Sequence, residues 1–394
     1  MTGSVVLDLI LLLLLVGYAI YGFRAGLVVS LAGIIGIVVG AIAAFFAVPL
    51  VASWVSDSVW RVPAVLIAML ALLAGGQILG LAGGRLIRSG VDRTPLKIID
   101  RILGALVDLV VAALLMSAMA FSVSALGVPF LSQSIAGSQV ITTVDNITPD
   151  PAKAFLAQIR SIAVQDGLPV IVDALSPSVA SAAPAGPPDT AALTAAAQSV
   201  VKITGNAYQC GQNQSGSGFV VSPGRIVTNA HVVAGVSAPV IDPPSGGAWQ
   251  GRVVYFDPAA DLAVIAVNGL PTKPLALAST LAPGASGVFD GYPLGGPFQS
   301  APAKVQSVPT VEMRDIYGAN PTLRQLYYLS AAVQEGNSGG PLLSNSGKVA
   351  GVVFAKSTTS SSVGYALTMQ ELKPVADKAS SLSASVTSGQ CIQR

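Results

Sequence analysis

Apolar residues are concentrated in the first third of the chain, where they form four long runs. A helix needs about 20 mostly apolar residues to cross the hydrocarbon core of a bilayer. The four runs approach or exceed this length and have no polar face for water to contact, which predicts transmembrane helices rather than the core of a soluble domain. They extend roughly over Val5–Tyr21, Leu27–Val48, Pro63–Gly84 and Ile102–Leu126. The first run lacks a basic segment ahead of it and is followed by three more, so we do not interpret it as a cleaved signal peptide.

Basic residues between the runs predict the orientation of the helices. Arg24 lies between the first and second runs, and Arg61 is the sole basic residue between the second and third. Five basic residues lie between the third and fourth: Arg85, Arg88, Arg93, Lys97 and Arg101. Under the positive-inside rule, the first and third connections are cytoplasmic. Both termini, and the chain from about residue 127 onward, are then predicted to lie outside the cytoplasm.

Small and acidic residues inside the runs indicate how the helices pack. GxxxG steps, which let helix backbones approach closely in lipid, occur in the second and third runs: Gly36–Gly40 and Gly76–Gly80–Gly84. They predict a compact four-helix bundle. Asp8 and Asp108 lie within or near the runs, where a carboxylate is costly. They indicate either a proton or ion pathway or interfacial carboxylates that pair with a basic residue, and we prefer the second interpretation.

The chain changes character after the fourth run. Ala152–Gln165 has the pattern of an amphipathic helix, and residues 176–189 are rich in Pro, Ala and Ser, which is typical of an extended linker. A short helix is predicted over Thr190–Gln198. From Ser199 onward, short β-branched segments alternate with Gly, Pro and Asn, which predicts an all-β sandwich or a pair of barrels. The predicted domains are a four-helix transmembrane domain over 1–126, a helical segment and linker over 127–198, and a β-domain over 199–394.

Composition narrows the classes of function. Of the 394 residues, 52% are hydrophobic and only 10% are charged, so the chain has ample apolar surface to bury and is not disordered. The net charge of +2 and the lack of a basic stripe give no indication of nucleic-acid binding. With two cysteines and one histidine, the sequence also excludes zinc fingers, iron–sulfur centres and clustered-histidine metal sites. No metal or organic cofactor is expected.

The single histidine belongs to the most informative set of residues. His231 lies in RIVTNAHVVAG, Asp261 in FDPAADLAVIAV and Ser338 in QEGNSGGPLL. A serine nucleophile needs a base to accept its proton, an acid to orient that base, and a tight turn whose N–H groups face the developing oxyanion. We therefore predict that Ser338 attacks, that His231 accepts its proton and that Asp261 holds the imidazole. Asp257, four residues before Asp261, is the competing candidate for the acid.

The segments TNAHVV, DLAVIAV and GNSGGPLL resemble the trypsin/chymotrypsin-like serine proteases, and among them the bacterial HtrA-type branch. The resemblance covers roughly residues 199–380. It implies a fold of two β-barrels, with His231 and Asp261 in the first and Ser338 in the second. It also implies an oxyanion hole formed by the backbone N–H groups of Gly336 and Ser338. The residues after Ser338 suffice for the second barrel and a C-terminal helix but not for a PDZ domain, so activation through such a domain is not expected.

The same resemblance places the substrate pocket between three segments of the second barrel. The predicted lining comprises Ala332, Phe354, Ala355, Lys356 and Gly364. No aspartate stands at the expected base of the pocket near Ala332, so little preference for Arg or Lys is expected at the substrate residue before the cut. Small to medium apolar side chains are expected there instead, with Lys356 near the rim.

The membrane part resembles a second family. VLDLILLLLLVGYAIYGFRAGLV and IDRILGALVDLVVA are similar to the colicin V production (CvpA) membrane proteins. A CvpA-like bundle joined to this type of protease domain resembles, over nearly the whole chain, the MarP-like actinobacterial membrane-anchored periplasmic serine proteases. That resemblance implies a role in acid or oxidative stress and in cell-wall maintenance. It also implies protein or peptide substrates in the periplasm or cell wall, such as a cell-wall hydrolase.

The two cysteines, Cys210 and Cys391, both fall on the predicted extracytoplasmic side. An oxidising compartment permits a disulfide, which would join the first strands of the β-domain to its C-terminus and stabilise it by up to ~4–5 kcal/mol in the chain-entropy account. Because Cys210 is close to GQNQSGSGFV, we hypothesise that the bond links redox state to activity.

Two other functions remain compatible with these patterns. One is a membrane sensor or scaffold whose β-domain binds peptides, and the other is a small transporter formed by the bundle and regulated by the protease, which Asp8 and Asp108 motivate. Acid stress also raises a difficulty, because a protonated histidine no longer acts as a base. Either the compartment is less acidic than the medium, or acid acts on another step such as autolysis in the linker 176–189.

Overall fold

The computed structural model describes residues 2–54, 58–91, 95–124, 126–163, 170–171, 190–210, 212–357 and 360–392. The chain divides into two units, one over Val5–Ser117 and the other over Ala118–Arg394 together with Met1–Ser4. The predicted linker over 176–189 lies outside the described residues.

Three long helices make up the first unit: α1 (Thr2–Trp54), α2 (Ser58–Val91) and α3 (Lys97–Ser124). Among the described residues, each contains a stretch long and apolar enough to cross a membrane. The sequence predicts four spans, and the difference lies in α1, which contains both of the first two predicted runs. At 1.5 Å per residue, its 53 residues would extend for about 80 Å, more than twice the thickness of a bilayer core.

A break at Gly26 divides α1 into two arms. Its φ of 76° and ψ of 162° are not helical, and glycine is the residue that adopts this conformation readily. The first arm contacts α3, where a Cβ on Gly22 would lie 2.5 Å from the Gly104 carbonyl oxygen. The second arm contacts α2, where a Cβ on Gly40 would lie 2.5 Å from the Leu72 carbonyl oxygen. The first arm therefore packs on α3, and the second packs on α2 while its first turns also contact α3.

The second unit begins with three short helices: α4 (Pro129–Ala136), α5 (Gln139–Ile147) and α6 (Asp150–Ala163). α5 begins at the Ser138 hydroxyl, which accepts the N–H of Ile141 at 3.1 Å. α6 occupies the segment that the sequence predicts as an amphipathic helix, and it buries Ala157 against Gly296 of the β-domain. β1 (Val170–Ile171) and α7 (Ala191–Ala197) precede the first complete sheet.

A seven-stranded antiparallel sheet forms the first barrel. Its strands are β2 (Val200–Ala207), β3 (Gln212–Ser222), β4 (Arg225–Thr228), β5 (Val240–Asp242), β6 (Trp249–Gln250), β7 (Arg252–Asp257) and β8 (Leu262–Ala266). They lie in the order β6-β5-β2-β3-β4-β8-β7. Between β4 and β5 the chain makes one helical turn, α8 (Ala230–Val233). β-Branched side chains such as Ile203, Ile226 and Ile265 fill the interior, as the strand pattern predicts.

The second sheet has eight strands and closes on itself. Besides β1 it contains β9 (Ser286–Gly291), β10 (Gln299–Ser307), β11 (Thr310–Met313), β12 (Thr322–Ser330), β13 (Pro341–Ser344), β14 (Val349–Ser357) and β15 (Val363–Thr368). β15 pairs with both β12 and β14, so β14, β13, β9, β10, β12 and β15 form a ring. Helix α9 (Met369–Lys378) follows and buries Leu372 and Val375. The prediction of an all-β domain with two barrels is confirmed.

One apolar cluster joins the two barrels. Phe219 and Val227 of the first barrel meet Val288 and Phe354 of the second, and each of these side chains is at most 1% exposed. Burying a side chain of this kind stabilises the fold by roughly 1.5–3 kcal/mol. The cluster fixes β3 and β4 against β9 and β14, and so fixes the ends of these strands, from which the candidate site is built.

The last residues form a tail across the outside of the first barrel. The Val386 N–H donates to the Val253 carbonyl in β7 at 2.9 Å, and the Ser388 hydroxyl donates to the Val236 carbonyl, just after α8, at 2.8 Å. A disulfide joins Cys391 in this tail to Cys210, at a sequence separation of 181. The tail is thereby tied to the end of β2.

Candidate active site

His231 and Asp261 come together from two adjacent strands of the first barrel. His231 lies in α8, just after β4, and Asp261 lies just before β8, which pairs with β4. His231 Nδ1 lies 2.8 Å from Asp261 Oδ2, and the His231 backbone N–H donates to Asp261 Oδ1 at 2.9 Å. The Asn229 side-chain amide donates to the Asp261 carbonyl at 2.8 Å. His231 and Asp261 are 5% and 6% exposed, so the imidazole and the carboxylate that contacts it are both buried.

Asp257, the competing acid, serves a different contact. Its Oδ1 accepts the backbone N–H groups of Ala259 and Ala260 at 3.0 and 2.9 Å, and the Tyr255 hydroxyl donates to its Oδ2 at 3.1 Å. These bonds form a turn of the kind that aspartate side chains often make with the backbone that follows them. Asp257 therefore shapes the loop that leads to Asp261, while Asp261 contacts the imidazole.

Ser338 lies in a tight turn between β12 and β13. Gly336 has a φ of 88°, and a Cβ at this position would collide with the Tyr292 carbonyl oxygen, so the turn requires glycine here. Asn337 closes the turn from within, because its Oδ1 accepts the Gln334 N–H at 2.8 Å and its carbonyl accepts the Gly340 N–H at 3.0 Å. Ser338 is 2% exposed.

Two backbone N–H groups of this turn, those of Gly336 and Ser338, have no acceptor among the residues that the structure describes. The Glu335 carbonyl accepts the Leu294 N–H at 2.6 Å. Because the N–H and C=O of a trans peptide point in opposite directions, this bond turns the Gly336 N–H away from Leu294. Within the described part of the chain, neither the Gly336 N–H nor the Ser338 N–H donates a hydrogen bond. A pair of unpaired donors beside a serine is the arrangement that stabilises an oxyanion.

The Ser338 hydroxyl does not bond to His231 in this structure. Its Oγ donates to the Phe354 carbonyl of β14 at 3.3 Å. His231 Nε2 is buried and has no hydrogen-bond partner among the described residues. The two segments are nevertheless neighbours, since β3 bonds to both: the Ser217 N–H donates to the Ser338 carbonyl at 2.8 Å, and the Thr228 hydroxyl donates to the Ser217 carbonyl at 2.7 Å. Thr228 is three residues from His231.

Comparison with known proteins identifies both parts of the chain. Residues 216–352 match the trypsin-like peptidase domain, and residues 7–149 match the colicin V production protein. The serine protease Rv3671c of Mycobacterium tuberculosis (strain H37Rv) is 34% identical over 384 residues, which cover 94% of this chain and 95% of that protein. The chain belongs to the Rv3671c family of serine proteases.

Two further similarities cover about half of the chain. The crystal structure of the active form of the Rv3671c protease is similar with a TM-score of 0.51 and 35% sequence identity, covering 57% of this chain and 100% of that one. The mitochondrial serine protease HTRA2 of Bos taurus is 33% identical over 201 residues, which are 47% of this chain and 41% of that protein. As a member of the Rv3671c family, the chain is a serine endopeptidase with a CvpA-like domain of apolar helices. The MarP-like resemblance inferred from the motifs is confirmed.

Ser217 is a residue of this Rv3671c-family site that the sequence analysis missed. It is fully buried, accepts the Tyr292 N–H at 2.9 Å and donates its hydroxyl to the Gly336 carbonyl at 2.6 Å. It thereby connects the first barrel to the turn that carries Ser338. The signal was present in the sequence as a small hydroxyl side chain between two glycines of an apolar strand, GSGFVV, where a buried polar group needs a partner.

The residues predicted to line the substrate pocket lie in three environments. Phe354 and Ala355 are buried within β14, and Gly364 pairs with Lys356 across the β14–β15 ladder. Ala332 is exposed. Val333, the next residue along the chain, packs so closely against Gly364 that a Cβ on Gly364 would collide with it. Lys356 Nζ lies 3.4 Å from Glu335 Oε1, so an ion pair joins β14 to the turn that carries Ser338.

A second buried aspartate lies next to the turn that carries Ser338. Asp290 in β9 is 1% exposed, and neither of its carboxylate oxygens has a hydrogen-bond partner among the described residues. A Cβ on Gly340, two residues after Ser338, would collide with the Asp290 carbonyl oxygen, so the two segments are in contact. Burial raises the pKa of Asp290 to about 6, and the Ser300 hydroxyl on β10 lowers it by less.

The described residues contain no cluster of three or more His, Cys, Asp or Glu side chains arranged to hold a metal ion.

Proposed function

We propose that the chain is a membrane-anchored serine endopeptidase that acts on the extracytoplasmic side through a His231–Asp261–Ser338 acyl-enzyme mechanism. One observation carries the assignment of residues. The imidazole of His231 is fixed by Asp261 at Nδ1, and Nε2 is buried. Within the described residues, neither Nε2 nor the two N–H groups of the neighbouring Ser338 turn have a hydrogen-bond partner. The geometry supports a base that accepts a proton at Nε2 and an oxyanion site at the turn.

The first half of the reaction forms the acyl-enzyme. The Ser338 hydroxyl exchanges its bond to the Phe354 carbonyl for one to His231 Nε2, a small side-chain rotation of the kind that substrate binding promotes. Oγ then attacks the scissile carbonyl, and its proton passes to Nε2. The N–H groups of Gly336 and Ser338 stabilise the oxyanion, and Asp261 stabilises the imidazolium. The imidazolium gives its proton to the departing amine as the peptide C–N bond breaks.

The second half regenerates the enzyme. A water molecule gives a proton to His231 Nε2 as its oxygen attacks the acyl carbon, and the same two backbone donors stabilise the second oxyanion. The imidazolium returns that proton to Ser338 Oγ when the C–O bond breaks. The product leaves with a new carboxyl group, and serine and histidine recover their starting protonation states.

Two features support an extracytoplasmic position of the β-domain. The basic residues concentrated between the third and fourth apolar runs favour a cytoplasmic position for that connection. The disulfide between Cys210 and Cys391 is a bond that persists in oxidising compartments. An exogenous protease added to intact spheroplasts is expected to degrade the β-domain. Protection that lasts until the membrane is lysed would contradict this orientation.

We infer protein or peptide substrates in the periplasm or cell wall, with a cell-wall hydrolase as one candidate. A role in acid or oxidative stress and in cell-wall maintenance accords with the MarP-like resemblance. The apolar Val333 and the lack of an aspartate at the expected base of the pocket near Ala332 favour small to medium apolar side chains before the cut. The Lys356–Glu335 ion pair lies at the rim of the pocket in this assignment.

A fluorophosphonate probe tests the mechanism on the full chain in membranes. An activated serine attacks phosphorus, fluoride leaves, and the base takes the hydroxyl proton, so labelling requires both residues. We expect labelling at Ser338 in the wild type and none in Ser338→Ala. Ser346→Ala, which changes an exposed serine in the next turn, should label like the wild type. Failure of the wild type to label would favour a peptide-binding scaffold without catalysis.

A further inference from the structure

Two buried carboxylates lie on one face of α3 in the membrane unit. Asp100 and Asp108 are 7% and 8% exposed, and Gly104 lies midway between them. Residues four apart fall on the same side of a helix, and eight residues correspond to about 12 Å along its axis. Both aspartates therefore face the rest of the bundle, at different depths.

Asp100 is compensated by a cation. Arg88 Nε lies 3.7 Å from its Oδ2, and the Val28 N–H donates to its Oδ1 at 3.1 Å. The same arginine donates to the carbonyls of Arg24 and Ala25, just before the break at Gly26. Asp100 and Arg88 together bond to three backbone groups around the break. Asp100 is also in the first turn of α3, near the end of the helix.

Asp108 lacks such compensation. Its one hydrogen bond within the described residues is with the Ser30 hydroxyl, 3.0 Å from Oδ2, and none of the described Lys, Arg or His side chains forms an ion pair with it. At 1.5 Å per residue it lies about 16 Å from the Lys97 end of α3 and about 24 Å from the Ser124 end. An ionised carboxylate at such a depth, with one neutral donor, is costly, whereas a protonated one is tolerated.

The break in α1 brings two arms onto this carboxyl group. A Cβ on Gly22, in the first arm, would lie 2.8 Å from Asp108 Oδ2, and Ser30, in the second arm, bonds to the same oxygen. In an unbroken helix these two residues would be about 12 Å apart. The bundle is therefore assembled around Asp108. Broken helices that meet a buried carboxylate are typical of intramembrane sites for protons and ions.

We propose that Asp108 is a proton-binding site of the membrane unit, whose carboxyl group holds an exchangeable proton at neutral pH. The contacts favour a proton over a metal cation. Hard cations such as Mg²⁺ and Ca²⁺ take six or more oxygen ligands, while the side chains in contact here offer the Asp108 carboxyl group and the Ser30 hydroxyl. The site does not depend on the peptidase mechanism, and it gives the bundle a proton-responsive group of its own.

Dicyclohexylcarbodiimide is the probe, applied to the wild-type full chain in liposomes at neutral pH. It reacts with protonated carboxyl groups in apolar surroundings. The carboxylic O–H adds across one C=N bond, and the acyl group then migrates to nitrogen, which gives a stable N-acylurea without any leaving group or oxidant. Peptide mass spectrometry locates the product. We expect modification of Asp108, declining as the pH is raised, and none of Asp100.

The outcomes separate the proposal from its competitors. Equal modification of Asp100 and Asp108, or none of Asp108, would overturn it. Suppression by NaCl but not by choline chloride at the same concentration would also overturn it, because Na⁺ would then be the bound ion. A second measurement needs no probe access: the infrared C=O stretching band of a protonated carboxyl group should be present in the wild type and in Asp100→Asn. It should be lost in Asp108→Asn, with helix content checked by circular dichroism, and its absence from the wild type would contradict the proposal.

Discussion

The two barrels each bury an aspartate beside the site, and they treat it in opposite ways. Asp261 of the first barrel has both carboxylate oxygens bonded to His231, one through the backbone N–H and one through Nδ1. Asp290 of the second barrel has neither oxygen bonded within the described residues, although it is more deeply buried. A satisfied buried charge rigidifies its surroundings, whereas an unsatisfied one costs free energy. The part of the site that holds His231 and Asp261, the proposed acid–base half, is therefore pre-organised. The part that holds Ser338, the proposed nucleophile half, carries a buried carboxylate that the Ser300 hydroxyl offsets only in part.

The same asymmetry extends to the reacting atoms. The bonds of His231 and Asp261 lie within the first barrel, while the Ser338 hydroxyl bonds to Phe354 within the second. The hydrogen bond between Ser338 Oγ and His231 Nε2, which would cross from one barrel to the other, is the one that is not formed. Substrate binding then has to supply a small rearrangement of the nucleophile half, while the acid–base half can remain as it is.

The largest expected effect comes from the nucleophile half. Ser338→Ala should lower kcat/KM for a peptide substrate by roughly 10⁶-fold, because no other group can form the acyl-enzyme. The Gly336 and Ser338 N–H donors remain, so a residual rate above the uncatalysed one is expected. Steady-state hydrolysis by the full chain measures this, with Ser346→Ala as the matched control. A loss of less than tenfold would remove Ser338 from the mechanism.

The acid–base half is tested by Asp261→Asn. The amide cannot hold the imidazole in the tautomer that leaves Nε2 free to accept a proton, so kcat should fall by roughly 10⁴-fold. Asp257→Asn is the matched control, since it changes the neighbouring carboxylate that bonds only to its own loop and Tyr255. The pH profile of kcat should change in the first variant alone. An equal or larger loss in Asp257→Asn would reverse the assignment of the acid.

The sequence predicts the residues on each side of the site but not the contacts between the sides. His231, Asp261 and Ser338 each lie in a short segment whose pattern is local, so motifs suffice to find them. The Ser217–Gly336 bond spans 119 residues and depends on how the two barrels pack, which no local pattern encodes. The bond from Ser338 to the Phe354 carbonyl involves a backbone atom and has no sequence signature.

The fold shows the same limit. Short β-branched segments predict the strands of both barrels, and apolar length predicts the membrane helices. The count of candidate membrane helices differs because the chain is helical on both sides of Gly26, so the first two predicted runs lie in one element, α1. The hydropathy pattern predicts the division near Gly26 but not the absence of a loop there. Asp290 was detectable as an acidic residue inside an apolar strand, SGVFDGY, but its lack of a partner depends on tertiary packing.

Removal of the disulfide tests whether the rigidity of the acid–base half depends on the C-terminal tail that Cys391 anchors. Cys391→Ser should lower the free energy of unfolding by up to about 5 kcal/mol, since the bond closes a long loop of the unfolded chain. Turnover should fall as well, because the tail bonds to Val253 and Val236 near the His231 segment. Cys210→Ser should match it, and the double variant should be no worse than either single one. Additive losses, or unchanged melting and turnover, would contradict this role.

The smallest effect is expected from Asp290→Asn, which removes the buried carboxylate from the nucleophile half. The folded-state pKa of Asp290 is raised by burial from 3.8 to about 6, so the folded protein binds the proton more tightly than the unfolded chain. The resulting penalty is absent below about pH 4, grows between about pH 4 and 6, and is complete above that, where it amounts to roughly 3 kcal/mol at most.

Asp290→Asn should therefore raise stability at neutral pH by up to this amount and make little difference at about pH 4. The measurement is the temperature at which half of the near-ultraviolet circular dichroism signal of the folded protein is lost, taken across this pH range. Ser300→Ala is the matched control, because it removes the weaker interaction that lowers the pKa and should destabilise the protein slightly at neutral pH. A difference between Asp290→Asn and the wild type that does not change with pH would mean that Asp290 is compensated in solution, and the contrast between the two aspartates would not hold.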